Sequence, residues 1–172
     1  GAGGREHAFA YKILESEHCT QLFVAPGNAG TSKIAKNIDL KVTDFEAIKD
    51  FVIKENVKMV VVGPEDPLVE GIADFFAEED ELKDIYLIVP SKRGALLEGS
   101  KERAKEFMTL YSIPTAAYQS FTPESLQAGK EFLKTLKSPY VLKADGLAGG
   151  KGVLILKDLA EAQQELEHML VD

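Results

Sequence analysis

The 172 residues carry a formal net charge of -8 with 45% hydrophobic and 28% charged side chains, the balance of an ordinary globular chain rather than a disordered or fibrous one. At this length a chain buries roughly two thirds of the surface it exposes unfolded, enough for one good core or for one domain and part of another. The negative charge argues against a general nucleic-acid binder, no apolar run nears the ~18 residues of a membrane span, no signal peptide is evident, and the single Cys19 gives no internal disulfide, so a cytoplasmic setting is expected.

The chain opens on Gly1-Ala2-Gly3-Gly4 running into HAFAYKIL, a tight turn followed by a helix, with no strand in front of it. The strand that should feed this turn is expected to be missing, and the sequence to be a piece of a longer protein. QLFVAPG reads as a short strand, and Thr43-Asp44-Phe45-Glu46 as a capping box that opens the next helix. KMVVVGPE is a continuous apolar run ended by Gly63-Pro64, the pattern of a parallel strand covered on both faces. Asp66-Pro67 then reads as N-cap and first helical residue, with Leu68, Ile72, Phe75 and Phe76 on one helical face. IYLIVP, residues 85–90, is the next strand. Strands alternating with helices in this way predict a doubly wound, mainly parallel α/β sheet to about residue 95.

The rhythm then changes. SKERAKEFMTLY places Ala104, Phe107, Met108 and Tyr111 at helical spacing behind Ser100 as cap, and Pro114 stops the helix. Thr122-Pro123 opens a second helix to about Leu136, YVLKADGLAGGKGVLIL reads as a hairpin, and Asp158 with Glu161 caps a last helix. One helix, a hairpin and another helix are too little to close a core, so this second unit is expected to be incomplete.

Three places suggest ligands. The glycine turn before the first helix offers N–H groups and the positive end of the helix dipole to an anion. It is not a dinucleotide fingerprint, because Glu6 stands where the third glycine belongs and Ala25-Pro26-Gly27 where an acidic residue would grip a ribose. PGNAGT and GPEDP lie at strand ends of the same sheet, where Asn28 offers both a donor and an acceptor and Glu65 a carboxylate; each is also ordinary turn or capping chemistry. The hairpin loop is the third place. Lys151 does not belong to a P-loop, since Asp145 and Gly152 occupy the required glycine and hydroxyl positions and a strand follows. A loop this long and glycine-rich between antiparallel strands is a flap, whose amides can approach phosphate oxygens as it closes. Lys143 under it and Lys101 at the first turn of the preceding helix would add cations. Several groups must act together, because a helix terminus gives an anion about 0.3–1 kcal/mol while millimolar affinity needs about 4.

In this order GGREHA, VAPGNAGT, VVGPEDPLVEGIAD, LEGSKERAKEFM, YSIPTAAY and VLKADGLAGGKGV resemble the phosphoribosylamine-glycine ligases, or glycinamide ribonucleotide synthetases, of the ATP-grasp superfamily, across essentially the whole chain. The resemblance implies a Rossmann-like parallel sheet, the pre-ATP-grasp domain, over residues 1–98 with its first strand missing. The start of an ATP-grasp α+β domain over 99–121 and an incomplete glycine-loop ATP-binding subdomain over 122–172 would follow. It implies ligation of glycine to 5-phosphoribosylamine with ATP and Mg2+, through a glycyl phosphate, in de novo purine synthesis, with no residue acting as nucleophile. ATP would be held by Lys101, Lys143, Gly146, Leu147, Ala148, Gly149, Gly150, Lys151 and Gly152. Gly3, Gly4, Arg5, Glu6, Asn28, Gly63, Pro64 and Glu65 would line the phosphoribosylamine side. The metal ligands are expected downstream of this chain, which alone would then be inactive. Val89 departs from the family, which usually has glycine there. Rival readings are another ATP-grasp enzyme of the purine pathway, a carboxylase or formate-dependent transferase, and a non-catalytic ATP-binding module. Small-molecule partners are expected, with no nucleic acid and no membrane.

Overall fold

The computed structural model describes residues 1–171, which divide into two compact units, Gly1–Gly99 and a second that begins at Ser100. In the first, helix α1 (Gly4–Leu14) leads to strand β1 (Phe23–Val24), a short 3-10 turn at Thr31–Lys33, and β2 (Lys36–Asn37). Helix α2 (Phe45–Lys54), β3 (Met59–Val61), α3 (Glu65–Glu70), α4 (Ile72–Glu78), β4 (Tyr86–Ile88) and α5 (Lys92–Gly99) complete it. β1 pairs parallel with β2, and β3 parallel with β4 in the register Met59–Tyr86, Val60–Leu87, Val61–Ile88. Parallel pairing separated by helices is what the alternation of the sequence predicts. The core forms where α2 and α4 press Val52, Ile72, Phe76 and Leu82 together, with Val60, Leu87 and Phe75 against them.

Four local expectations are corrected. Asp44, not Thr43, caps α2, its carboxylate accepting the N–H of Ala47 at 3.1 Å. Helix α3 begins at Glu65 rather than after Asp66, because Pro64 takes the extended cap conformation and Pro67, still in the first turn, has no N–H to lose. The single helix expected across Leu68 to Phe76 is broken at Gly71, whose φ of 103° is left-handed and whose N–H closes α3 on the Pro67 carbonyl at 3.1 Å. Finally, β3 is not covered on both faces: Met59 is 46% and Val61 36% exposed, while Val60 points inward.

The last difference has a cause in the sheet. Among the described residues each strand pairs with only one other, so β1–β2 and β3–β4 are separate ladders. A cavity of about 670 Å³ in this unit is lined by Phe23 and Val24 of β1, Met59 to Val61 of β3, and Phe9 and Ile13 of α1. Gly1 sits at its wall, its ammonium donating to the Ala25 carbonyl while its own carbonyl accepts from Gly27 N–H at 3.2 Å.

In the second unit α6 (Lys101–Leu110) is followed, after a 3-10 turn at Pro123–Ser125, by α7 (Leu126–Thr135), β5 (Tyr140–Lys143), β6 (Val153–Leu156) and α8 (Leu159–Val171). β5 and β6 form the antiparallel hairpin, with Tyr140 opposite Leu156 and Lys143 opposite Val153. One side of β5 buries Tyr140 and Leu142 against Leu133 of α7 and Ala162 and Leu166 of α8. Gly129 lets α7 and α8 close on each other, since a β-carbon there would lie 2.8 Å from Leu166 Cδ2. Asp158 caps α8 by accepting Glu161 N–H at 2.9 Å. Among the described residues no helix is long and apolar enough to cross a membrane.

Candidate functional site

In the first unit the turn before α1, the end of β1 and the end of β3 come together, and the residues predicted for the phosphoribosylamine side lie there. The Glu6 side chain folds back to its own helix start, where Gly3 N–H donates to Oε2 at 2.7 Å. Three glycines make room for it: β-carbons built on Gly1, Gly3 and Gly63 would stand 2.6, 2.9 and 2.2 Å from its atoms. The Gly3 amide that the sequence offers to an anion is thus engaged by the chain's own carboxylate, whereas Gly4 has nothing within 4 Å of a β-carbon position and stays open.

Arg5 Nη1 donates to the Gly63 carbonyl at 3.0 Å and to Glu65 Oε1 at 2.9 Å. Both side chains remain well exposed, so the pair is screened and contributes orientation more than stability. The Arg5 hydrogen bond, with the backbone N–H of Glu65 itself, holds the Glu65 carboxyl below the usual carboxylate range against a small opposing effect of burial. Pro64 sets the turn between Gly63 and Glu65 as the α3 cap.

Asn28 is a strut. Its Nδ2 donates to the Ala2 and Gly3 carbonyls at 2.9 and 3.4 Å, and its Oδ1 accepts from Gly30 and Thr31 N–H at 2.7 and 2.9 Å. Asn37 Nδ2 donates to the Asn28 carbonyl at 2.9 Å, and the fully buried Thr31 hydroxyl donates to Asn37 Oδ1 at 2.8 Å. Thr31 and Asn37, which sequence reasoning passed over, hold Asn28 in place, and Asn28 ties the PGNAGT loop to the glycine turn; a threonine and an asparagine signal hydrogen bonding but not to what. His7 packs beside Gly30, where a β-carbon would lie 2.5 Å from its ring.

In the second unit the glycine loop spans Ala144 to Gly152, closed by Ala144 N–H to the Gly152 carbonyl at 2.8 Å and turned on itself by Lys151 N–H to Ala148 at 2.9 Å. Gly146, Gly149 and Gly150 have φ of 84°, 53° and 79° with nothing within 4 Å of a β-carbon position. Handedness, not crowding, requires glycine there. Lys101 Nζ reaches across to donate to the Gly146 carbonyl at 2.8 Å, so this lysine and the loop are brought together. Lys143 and Lys151 stay exposed at the two ends of the loop, as does Leu147 within it. Among the described residues no cluster of three or more His, Cys, Asp or Glu is arranged to hold a metal ion.

Asp145 is the residue the sequence did not single out for a role. Its Oδ1 accepts the backbone N–H groups of Lys101 and Glu102 at 2.6 and 3.2 Å, and its Oδ2 accepts the Ser100 hydroxyl at 2.9 Å. Ser100 Oγ in turn accepts Arg103 N–H at 3.1 Å, the expected cap. A positive lysine at a positive helix end is unfavourable by itself; the Asp145 carboxylate offsets it. Ala-Asp-Gly reads locally as a turn, and nothing in the sequence points 44 residues back.

Residues 1–98 match the family model described as phosphoribosylglycinamide synthetase, N domain, and residues 99–172 that of the ATP-grasp (A) domain of the same synthetase. A phosphoribosylamine-glycine ligase of Caldanaerobacter subterraneus subsp. tengcongensis is 42% identical over 170 residues, 99% of this chain but 39% of that protein. The chain thus spans about two fifths of the length of the curated relatives it matches. The crystal structure of the Thermotoga maritima phosphoribosylamine-glycine ligase superposes with a TM-score of 0.70 at 34% identity, over 96% of this chain and 37% of that one. The biotin carboxylase domain of Hydrogenobacter thermophilus 2-oxoglutarate carboxylase, solved with MgADP, shares the fold with a TM-score of 0.68 at 24% identity, over 95% and 37% of the two chains.

Proposed function

We propose a function for a chain that belongs to the phosphoribosylglycinamide synthetase family: it is the part of an ATP-dependent carbon-nitrogen ligase that joins glycine to 5-phosphoribosylamine, yielding glycinamide ribonucleotide, ADP and phosphate in purine synthesis. The observation that carries this reading is the bond from Lys101 Nζ to the Gly146 carbonyl. It sets a cation at the root of a loop whose Gly146, Gly149 and Gly150 leave the backbone open. Residues 1–98 would form the sugar-binding domain, 99–121 the entry to the ATP-grasp domain and 122–172 its glycine-loop subdomain.

The chemistry asked of these residues is charge neutralisation and positioning. Lys101, Lys143, Lys151 and the amides of Gly146, Leu147, Ala148, Gly149, Gly150 and Gly152 would spread the negative charge of a polyphosphate and keep water from it. A charged phosphate oxygen outcompetes the neutral Gly146 carbonyl for Lys101, because charge-assisted hydrogen bonds are the stronger ones. ATP, when bound, supplies the phosphoryl group that activates the glycine carboxylate. In the first unit Arg5, pinned by Glu65 and the Gly63 carbonyl, would meet the sugar phosphate, with the open Gly4 amide beside it, while Gly3, Glu6, Asn28 and Pro64 hold the turn in shape. The Glu65 carboxylate, kept ionised, suits the amine or hydroxyls of the sugar. Magnesium is typical of the family, and its ligands would lie outside the residues described.

The test uses ligands that report each half. Glycinamide ribonucleotide should raise the thermal midpoint of the intact parent enzyme while aminoimidazole ribonucleotide does not, and ADP release should require both glycine and phosphoribosylamine. Equal protection by the two ribonucleotides, or ADP release independent of glycine, would refute the assignment.

A further inference from the structure

The loop from Gly146 to Gly150 packs only on itself: its three left-handed glycines face open space, Leu147 is exposed and Ala148 lies against Gly152. Whatever fixes its direction must act at its root. Among the described residues, only four hydrogen bonds tie residues 145–151 to distant parts of the unit, and all four end on residues 100–102: the three accepted by Asp145 and the one from Lys101 Nζ to Gly146. The Asp145 carboxylate also fills the anion-favouring end of α6, satisfying two N–H groups that would otherwise seek a ligand. A phosphate is thereby turned away from the helix end and toward the lysine side chain and the loop amides.

We propose that Asp145 is a positioning residue, fastening the root of the glycine loop to the first turn of α6 so that the loop and the Lys101 ammonium meet an anion in one fixed register. The anion part rests on the function proposed above; the fastening does not. Asp145 takes no part in bond making or breaking. Its removal should free the loop without unfolding the hairpin, because Tyr140, Leu142 and Leu166 belong to a core that Asp145 does not touch.

Hydrogen exchange read by mass spectrometry on the 172-residue chain tests this with Asp145→Ala and Asp145→Asn. Amides of residues 101, 102 and 151, which are hydrogen-bonded at the root and within the loop, should exchange roughly five- to tenfold faster in the alanine variant, less so in the asparagine variant, which keeps one acceptor oxygen, with β5, α7 and α8 unchanged. Unaltered loop exchange in both variants overturns the proposal. So does an equal rise across α7 and α8, which would make Asp145 a general stabiliser. If the alanine variant does not fold, the asparagine variant is read by the same criteria. ADP titrated by calorimetry into the intact parent enzyme and its variant forms a second arm, in which affinity should fall roughly tenfold in Asp145→Asn, as for loss of one charge-assisted contact. If ADP binds neither chain, the nucleotide reading fails while the exchange result still decides the fastening; if it binds both equally, the positioning role fails.

Discussion

An oxygen of the Glu6 carboxylate lies 2.2 Å from where a β-carbon on Gly63 would stand. Gly63→Ala would therefore push Glu6 off the Gly3 amide it holds at 2.7 Å. The backbone need not strain, so the expected loss is that of one charge-assisted bond, about 1–2 kcal/mol, read as a fall of a few degrees in the calorimetric midpoint. An unchanged midpoint would show that Glu6 finds another seat at no cost.

Gly4→Ala should separate stability from binding. Gly4 is the first residue of α1 and its β-carbon meets nothing, so alanine should stabilise the helix by about 0.5 kcal/mol. If the open amide face of Gly4 receives the sugar phosphate, the same change should weaken glycinamide ribonucleotide binding several-fold. A variant both more stable and equally tight in calorimetric titration would remove Gly4 from the site.

Gly27→Ala should behave differently. With φ at 79° and a β-carbon 2.3 Å from the Asn37 amide, alanine must strain the backbone and displace the side chain that holds Asn28 and Thr31. The expected cost is about 2–3 kcal/mol, summing the left-handed penalty and a lost buried hydrogen bond. Denaturant unfolding measures it, and a loss below that of Gly63→Ala would contradict the network described.

Composition and strand-helix alternation foretold parallel pairs, helix caps at Ser100 and Asp158, and the glycine hairpin, because those depend on neighbours within a few residues. The break at Gly71 was missed because an apolar face at helical spacing outweighed one glycine whose φ only the fold determines. The Asn28 strut and the Asp145 bonds were not legible, since a side chain's partner 26 or 44 residues away leaves no local trace. The exposed side of β3 escaped notice for a related reason: an apolar run tells that a strand is meant to be covered, not what covers it.

Acid should release the loop root. Burial raises the Asp145 carboxyl, but hydrogen bonds from Glu102, Ser100, Gly146 and Lys101 together carry it below its ordinary value of 3.8. A lowered acid stabilises the fold above that ordinary value and loses the contribution as pH falls through the lowered one. Exchange of the loop amides, corrected for intrinsic rate, should thus be flat from pH 7 to about pH 4 and then accelerate. Asp145→Asn should flatten that acid limb; if it does not, another group governs the transition.

An extended apolar segment of about five residues joined ahead of Gly1 should enter the 670 Å³ cavity and bond to β1 and β3 at once. It would also remove the Gly1 ammonium, whose pKa is lowered by burial against a smaller opposing pull from Glu6. The thermal midpoint should rise by several degrees, roughly 2–4 °C for each kcal/mol gained. A proline-interrupted segment of the same composition should give no rise, and equal behaviour of the two would count against strand insertion.

The same gap bears on handling the molecule. Among the described residues the β1–β2 and β3–β4 ladders are each two-stranded and line this cavity, and such edges accept an extended polypeptide, including a neighbouring copy. Clumping at high concentration should therefore start from this seam rather than from the glycine ribbon, and a short soluble peptide that zips it shut would act as a solubiliser.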